Sequence, residues 1–126
     1  MEWEDASDVR KEAEHILKIL DLAHIDLTRV YFYRSSGSKA RAYARTWAFP
    51  KIFQRALGVG PAYVIEVLSK YYDNLDHDTR ARVIIHEFMH IPQNFSGALL
   101  PHHTKHRKLN SEVHKLFKEY KRKRGN

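Results

Sequence analysis

The chain has no cysteine in its 126 residues. Disulfides are therefore excluded, as are zinc fingers and ribbons built on thiolates, so a metal ion would have to be held by histidine and carboxylate. Long apolar runs are missing too: none approaches the roughly 20 residues that a membrane-spanning helix needs. Glycine and proline are scarce, and they gather at Gly58, Gly60 and Pro61 and between Pro92 and Pro101, where they mark breaks. Internal repeats are absent, and the only biased stretch is the basic end. The opening residues Met1 to Asp5 are acidic and do not read as a signal peptide, which makes a cytoplasmic protein with no membrane partner the expectation.

What the chain does hold is enough for one core and too little for two, so one domain over residues 1–126 is expected. The net charge is +7, unevenly placed. Acid gathers early (Glu2, Glu4, Asp5, Asp8, Glu12, Glu14) and base gathers late, with a tail over about residues 118–126. A basic end suits an anionic partner, nucleic acid first, although a solvated helix face has the same composition.

Periodicity organises the rest. Residues 5–24 carry apolar side chains at helical spacing, with Ser7 as the expected N-cap. Residues 28–34 and 42–48 read as strands, 51–57 as a short helix over the core, and 62–68 as the strongest strand. In that last strand only Glu66 interrupts the apolar run, which predicts that it faces solvent, an edge or a cleft. Asp76 is the expected N-cap of a helix over 79–91, stopped by Pro92. A final helix begins near Thr104 or Asn110 and presents Leu109, Val113, Leu116, Phe117 and Tyr120 as its core stripe.

The penultimate of these helices carries His86-Glu87-Phe88-Met89-His90, an H-E-x-x-H pattern. Residues four apart share a helix face, so His86 and His90 can hold one ion between them, with Glu87 on the adjoining edge. Zinc is the usual ion for such a pair, and the glutamate serves as general base on a water that the ion acidifies, ready to attack a peptide carbonyl. Nine histidines make a chance match a real rival, but the apolar stripe Ile84, Phe88, Ile91 puts the motif on a helix with a core flank. A catalytic zinc needs a third protein ligand and an open position. The segment after Pro92 returns with His102, His103 and His106; His102 is the first choice, His106 the second and His103 the third. Tyr43, Tyr63, Arg45 or a spare histidine could stabilise the oxyanion. The cleft is expected to lie between the strand at 62–68 and the loop at 92–101, with an extended peptide adding to a free edge there. His15, His24, His77 and His114 read as surface or helix-end residues.

Tyr63 to Val67, Val83 to Pro92, Phe95-Ser96-Gly97 and Pro101-His102 together resemble the metallopeptidases of phages and archaea, over about residues 28–120. The resemblance implies an α+β zincin-like fold: an N-terminal helix, a small mainly antiparallel sheet, the H-E-x-x-H helix and a C-terminal helix after the third ligand. It implies one Zn2+ and a protein or peptide substrate. More distantly the chain is similar to SprT-type proteases, which act on proteins bound to DNA and often place Gly after the third ligand; here His103 stands there. The competing reading is a nucleic-acid-associated binding protein with a structural or vestigial metal site. A zincin catalysing another hydrolysis ranks last.

Overall fold

Strand β4 (Tyr63–Leu68) lies inside a four-stranded sheet of order β1-β2-β4-β3. The structure, a computed structural model, describes residues 1–104 and 107–125, and for residues 103, 104 and 107 it describes the backbone. Strand β2 (Val30–Ser36) runs parallel to β4, with Val30 opposite Tyr63 and Phe32 opposite Ile65. Strand β3 (Ala44–Ala48) pairs antiparallel with the other side of β4, Thr46 opposite Ile65. The fourth strand, β1 (Glu2–Asp5), pairs antiparallel with β2. The fold is therefore α+β, as the sequence implies, with a mixed sheet whose central pairing is parallel.

Three expectations shift. The acidic start is an edge strand that takes in Asp5, so helix α1 (Ser7–Leu20) covers less than residues 5–24, and Ala6 rather than Ser7 occupies the capping position, with no side-chain cap. Charged side chains suit β1 because they discourage pairing with further chains along a sheet edge. Helix α2 (Lys51–Leu57) contributes no buried residue and does not lie over the core. The final helix, α5, spans Leu109–Arg124; the backbone before it forms a small hairpin of β5 (His103–Thr104) and β6 (Arg107–Lys108). A helix starting at Thr104, which would have turned His106 inward, does not form, and His106 itself lies outside the described residues.

Helices α1, α4 (His77–Phe88) and α5 pack together, and α1 and α4 meet the face of the sheet that carries Val30, Phe32, Tyr63, Ile65 and Val67. The short α3 (Ser69–Tyr72) links β4 to α4 and buries Tyr72. Asp76 caps α4 as expected, its carboxylate accepting from Thr79 N at 2.8 Å. Ala81, Ile84, Ile85 and Phe88 are fully buried along α4. Each large apolar side chain of that set stabilises the fold by about 1.5–3 kcal/mol, so the motif helix is anchored in the core by the flank that carries no chemistry. It ends at Phe88, earlier than the periodicity suggests, because Pro92 disfavours helical geometry in the residue before it. The chain tightens there into i→i+3 bonds, His90 N to Glu87 O at 3.1 Å and Ile91 N to Phe88 O at 3.0 Å.

Glu66 does not face solvent or the cleft; it is 1% exposed. On the sheet face away from the helices it accepts from Arg45 Nε at 2.7 Å and Trp47 Nε1 at 2.8 Å, clamping β3 to β4. Burial pushes its carboxyl up, but the bonds from Arg45 and Trp47 outweigh this and hold it at about 2, below the ordinary 4.5. A depressed carboxylate contributes stability that is present above its unfolded value and lost as pH falls toward its folded value. Glu66→Gln should therefore cost about 2 kcal/mol at neutral pH, the full buried-pair penalty being trimmed because Arg45 is partly solvated. Urea denaturation should show this difference from the parent shrinking between pH 4.5 and 2; a difference independent of pH would contradict the clamp.

Candidate metal centre

His86 and His90 come from the end of α4 and the turn after it, and a third imidazole meets them from the return loop. His102 Nε2 lies 3.1 Å from His86 Nε2, and one nitrogen from each of His86, His90 and His102 falls within 4.8 Å of the others. Two imidazoles bound to one tetrahedral zinc at the usual Zn–N distance hold their nitrogens about 3.3 Å apart. The spacing of the His86–His102 pair thus fits a shared ion as a donor set.

The return loop is held in four places. Pro92 O accepts from Phe95 N at 2.9 Å. Tyr63 OH accepts from Gly97 N and donates to Ala98 O, both at 2.8 Å. Gly97 has φ +93°, a backbone conformation that favours glycine; a Cβ there would also meet Gln54 Nε2 at 2.6 Å, a contact that the flexible end of Gln54 would have to relieve. Leu100 N donates to His90 O at 2.8 Å, and Leu109 N donates to His102 O at 3.0 Å, fixing His102 just ahead of the hairpin and α5.

One contact decides a tautomer. His90 Nδ1 lies 2.6 Å from Leu100 O. A carbonyl only accepts, so Nδ1 carries the proton and Nε2 is left with a lone pair; such an outer bond orients a ligand imidazole and raises its basicity. Burial, aided by His90, His102 and Arg82, lowers the His86 imidazole to about 4, so it stays neutral and able to ligate at neutral pH.

Glu87 is buried, 5% exposed, against β3. Thr46 Oγ1 lies 2.8 Å from Glu87 Oε1 and donates to it. Burial pushes the Glu87 carboxyl up to about 7, against the lowering influence of Thr46 and His102. A carboxyl near neutrality is suited to taking up and returning a proton. A cleft of about 750 Å³ runs past these groups, between Tyr43 to Thr46 on one side and Val83, His86 and His90 on the other, closed by Leu99 to Pro101. Its strand wall is β3, an edge of the sheet, and not β4, which has neighbours on both sides.

The other sequence candidates are dispersed. Tyr63 is buried beneath the return loop. Arg45 lines the cleft but is bonded to Glu66; Tyr43 lines it and is half exposed. The His103 side chain, like His106, lies outside the described residues. His15 meets Tyr120 OH, His77 meets Glu12, His24 is half-buried with Nε2 unpaired, and His114 is exposed. Thr46 and the Leu100 carbonyl were not anticipated. Alternation along β3 puts Thr46 opposite to Arg45 and Trp47, but only the packing of α4 on β3 brings Glu87 to it.

Three imidazoles, from the end of α4, the turn after it and the return loop, meet beside the buried Glu87 and form a candidate metal centre. The family model described as "Putative phage metallopeptidase" matches residues 1–121, and the chain belongs to that family. No curated protein and no solved structure matches it. Among the described residues, no helix is long and apolar enough to cross a membrane.

Proposed function

We propose that this chain is a zincin-type, zinc-dependent peptidase, with zinc held by His86, His90 and His102 and Glu87 acting as general base. The observation that carries this reading is the convergence of the three imidazoles beside the Glu87 carboxyl. Zinc in such a site acidifies a water and polarises the scissile carbonyl. Leu100 O keeps His90 in the tautomer that presents Nε2. Thr46 holds one oxygen of Glu87, limiting the rotation of the carboxyl and leaving Oε2 to take the proton of a water in the cleft. Glu87 then delivers that proton to the leaving amine. The free edge of β3 gives an extended peptide a row of backbone groups to pair with, so the substrate is an unfolded or locally extended segment. Tyr43, exposed in the cleft wall, is the side chain best placed to meet the substrate from the strand side.

The test is hydrolysis of an unfolded protein substrate by the purified chain. Cleavage should disappear on chelation and return on addition of zinc. Cleavage indifferent to chelation, or absent with zinc bound, would sink the proposal.

A second reading rests on α5. Its last turn carries Lys121, Arg122, Lys123 and Arg124, and Lys115, Lys118 and Arg122 line a groove beside it that also holds Glu112 and Glu119. This surface supports nucleic-acid binding, alone or as a means of bringing a peptidase to DNA-bound substrates. A mobility shift that weakens steeply with salt is expected; no shift at low salt removes this reading.

A further inference from the structure

We propose that the sheet face opposite the helices is an interface between two copies of this chain. Strands β1 to β4 place Trp3, Tyr31, Tyr33, Val64 and Trp47 on that face, and Leu57 and Val59 continue it beyond the end of β3. Trp3 is 62% exposed, Trp47 51%, Tyr31 46% and Leu57 67%. The helices that cover the sheet, α1 and α4, lie on its other side, where the core is; on this face Ser35, Glu66 and Leu68 are buried, while Trp3, Tyr31 and Trp47 are left exposed.

Composition and area both call for a cover on this face. An exposed sheet face ordinarily alternates to polar residues, whereas here five of the outward positions, Trp3, Tyr31, Tyr33, Val64 and Trp47, are aromatic or branched. The exposed fractions of these side chains amount to about 600 Å² of apolar surface, at the upper end of what a monomer leaves open. With its rim the patch approaches the roughly 800 Å² that each partner contributes to a standard interface.

Charge selects the occupant. Among the described residues, the charged groups at the outward strand positions and in the two grooves on this face are two cations, Arg29 and Arg45, and two anions, Asp5 and Glu66, which cancel. Arg45 is bonded to Glu66, and Arg29 to Gly60 O and Pro61 O. A neutral apolar surface offers nothing to a phosphate backbone or an anionic membrane. It is complementary to itself, and a two-fold axis brings the same patch from both copies into contact. Thr46 and Trp47 project to opposite sides of β3, so pairing through Trp47 leaves the histidine cleft open. The proposal does not depend on what the cleft does.

The protein carries an internal reporter, since both of its tryptophans, Trp3 and Trp47, lie on this face. Sedimentation velocity of the full zinc-supplemented chain should give twice the 14.9 kDa chain mass at tens of micromolar. Tryptophan emission should move to shorter wavelength as concentration rises across that association. Tyr31→Glu, and separately Leu57→Glu on the exposed α2, should each restore the monomer mass and the long-wavelength emission, with the far-UV circular dichroism spectrum unchanged; either variant suffices if the other does not fold. A monomer at all these concentrations would overturn the proposal, as would a dimer that survives both substitutions. An emission shift produced by a single-stranded oligonucleotide and not by concentration would assign the aromatics to base stacking and overturn it likewise.

Discussion

Glu87→Gln is expected to lower kcat by about 10²–10⁴-fold, the range that a general base contributes, while zinc still binds. Glutamine keeps the size of the side chain and can still accept from Thr46 Oγ1, so the cleft keeps its shape. It cannot take a proton from water at neutral pH. The buried setting of Glu87 makes this substitution easy to interpret: replacing a buried carboxyl by a neutral amide removes a desolvation cost, so stability should hold or rise. Thr46→Val gives a graded version of the same experiment. It removes the hydroxyl that fixes Oε1, should reduce kcat about tenfold with KM and zinc affinity little changed, and should be rescued by Thr46→Ser. Peptide hydrolysis surviving unchanged in Glu87→Gln would remove the glutamate from the mechanism, whatever the metal content.

His102→Ala is expected to have the second large effect, a loss of zinc affinity of at least about 100-fold, since groups that merely orient metal ligands already contribute about 10–100-fold. The consequence for folding is the reverse of what a core substitution does. His102 is exposed, and its backbone carbonyl, which accepts from Leu109 N, remains in the alanine variant. Without metal, the variant and the parent should therefore melt within about 0.5 kcal/mol of each other. With zinc, the parent should gain stability by mass action and the variant should not. His103→Ala and His106→Ala should behave as the parent does. Zinc-dependent stabilisation that persists in His102→Ala and vanishes in His106→Ala would move the third ligand to His106.

The limits of the sequence reading follow from the range over which each interaction acts. Helix α4 was legible because its evidence is local: Asp76 caps it, Ile84 and Phe88 recur at core spacing, and Pro92 ends it. The position of β4 within the sheet was not, because strand order is set by pairing between segments far apart in sequence. An apolar run interrupted by Glu66 looks the same at an edge or at the centre. Only Arg45 and Trp47, about 20 residues away, make burial of that carboxylate tolerable. Strand β1 was invisible for a related reason: Glu2-Trp3-Glu4-Asp5 has little strand preference of its own and is held by β2. At the site, the histidine spacing could be read directly. Thr46 against Glu87 and Leu100 O against His90 could not, since a threonine in a strand and a backbone carbonyl carry no signature of what will pack on them.

The central claim is that one zinc ion is held by His86, His90 and His102. X-ray absorption at the zinc edge, on protein loaded with one equivalent of zinc, tests it most directly. The expected result is three imidazole nitrogens at about 2.0–2.1 Å and one further ligand, a water oxygen, with one imidazole lost in His102→Ala. A spectrum with two imidazoles or fewer in the parent, or one unchanged by that substitution, would contradict it.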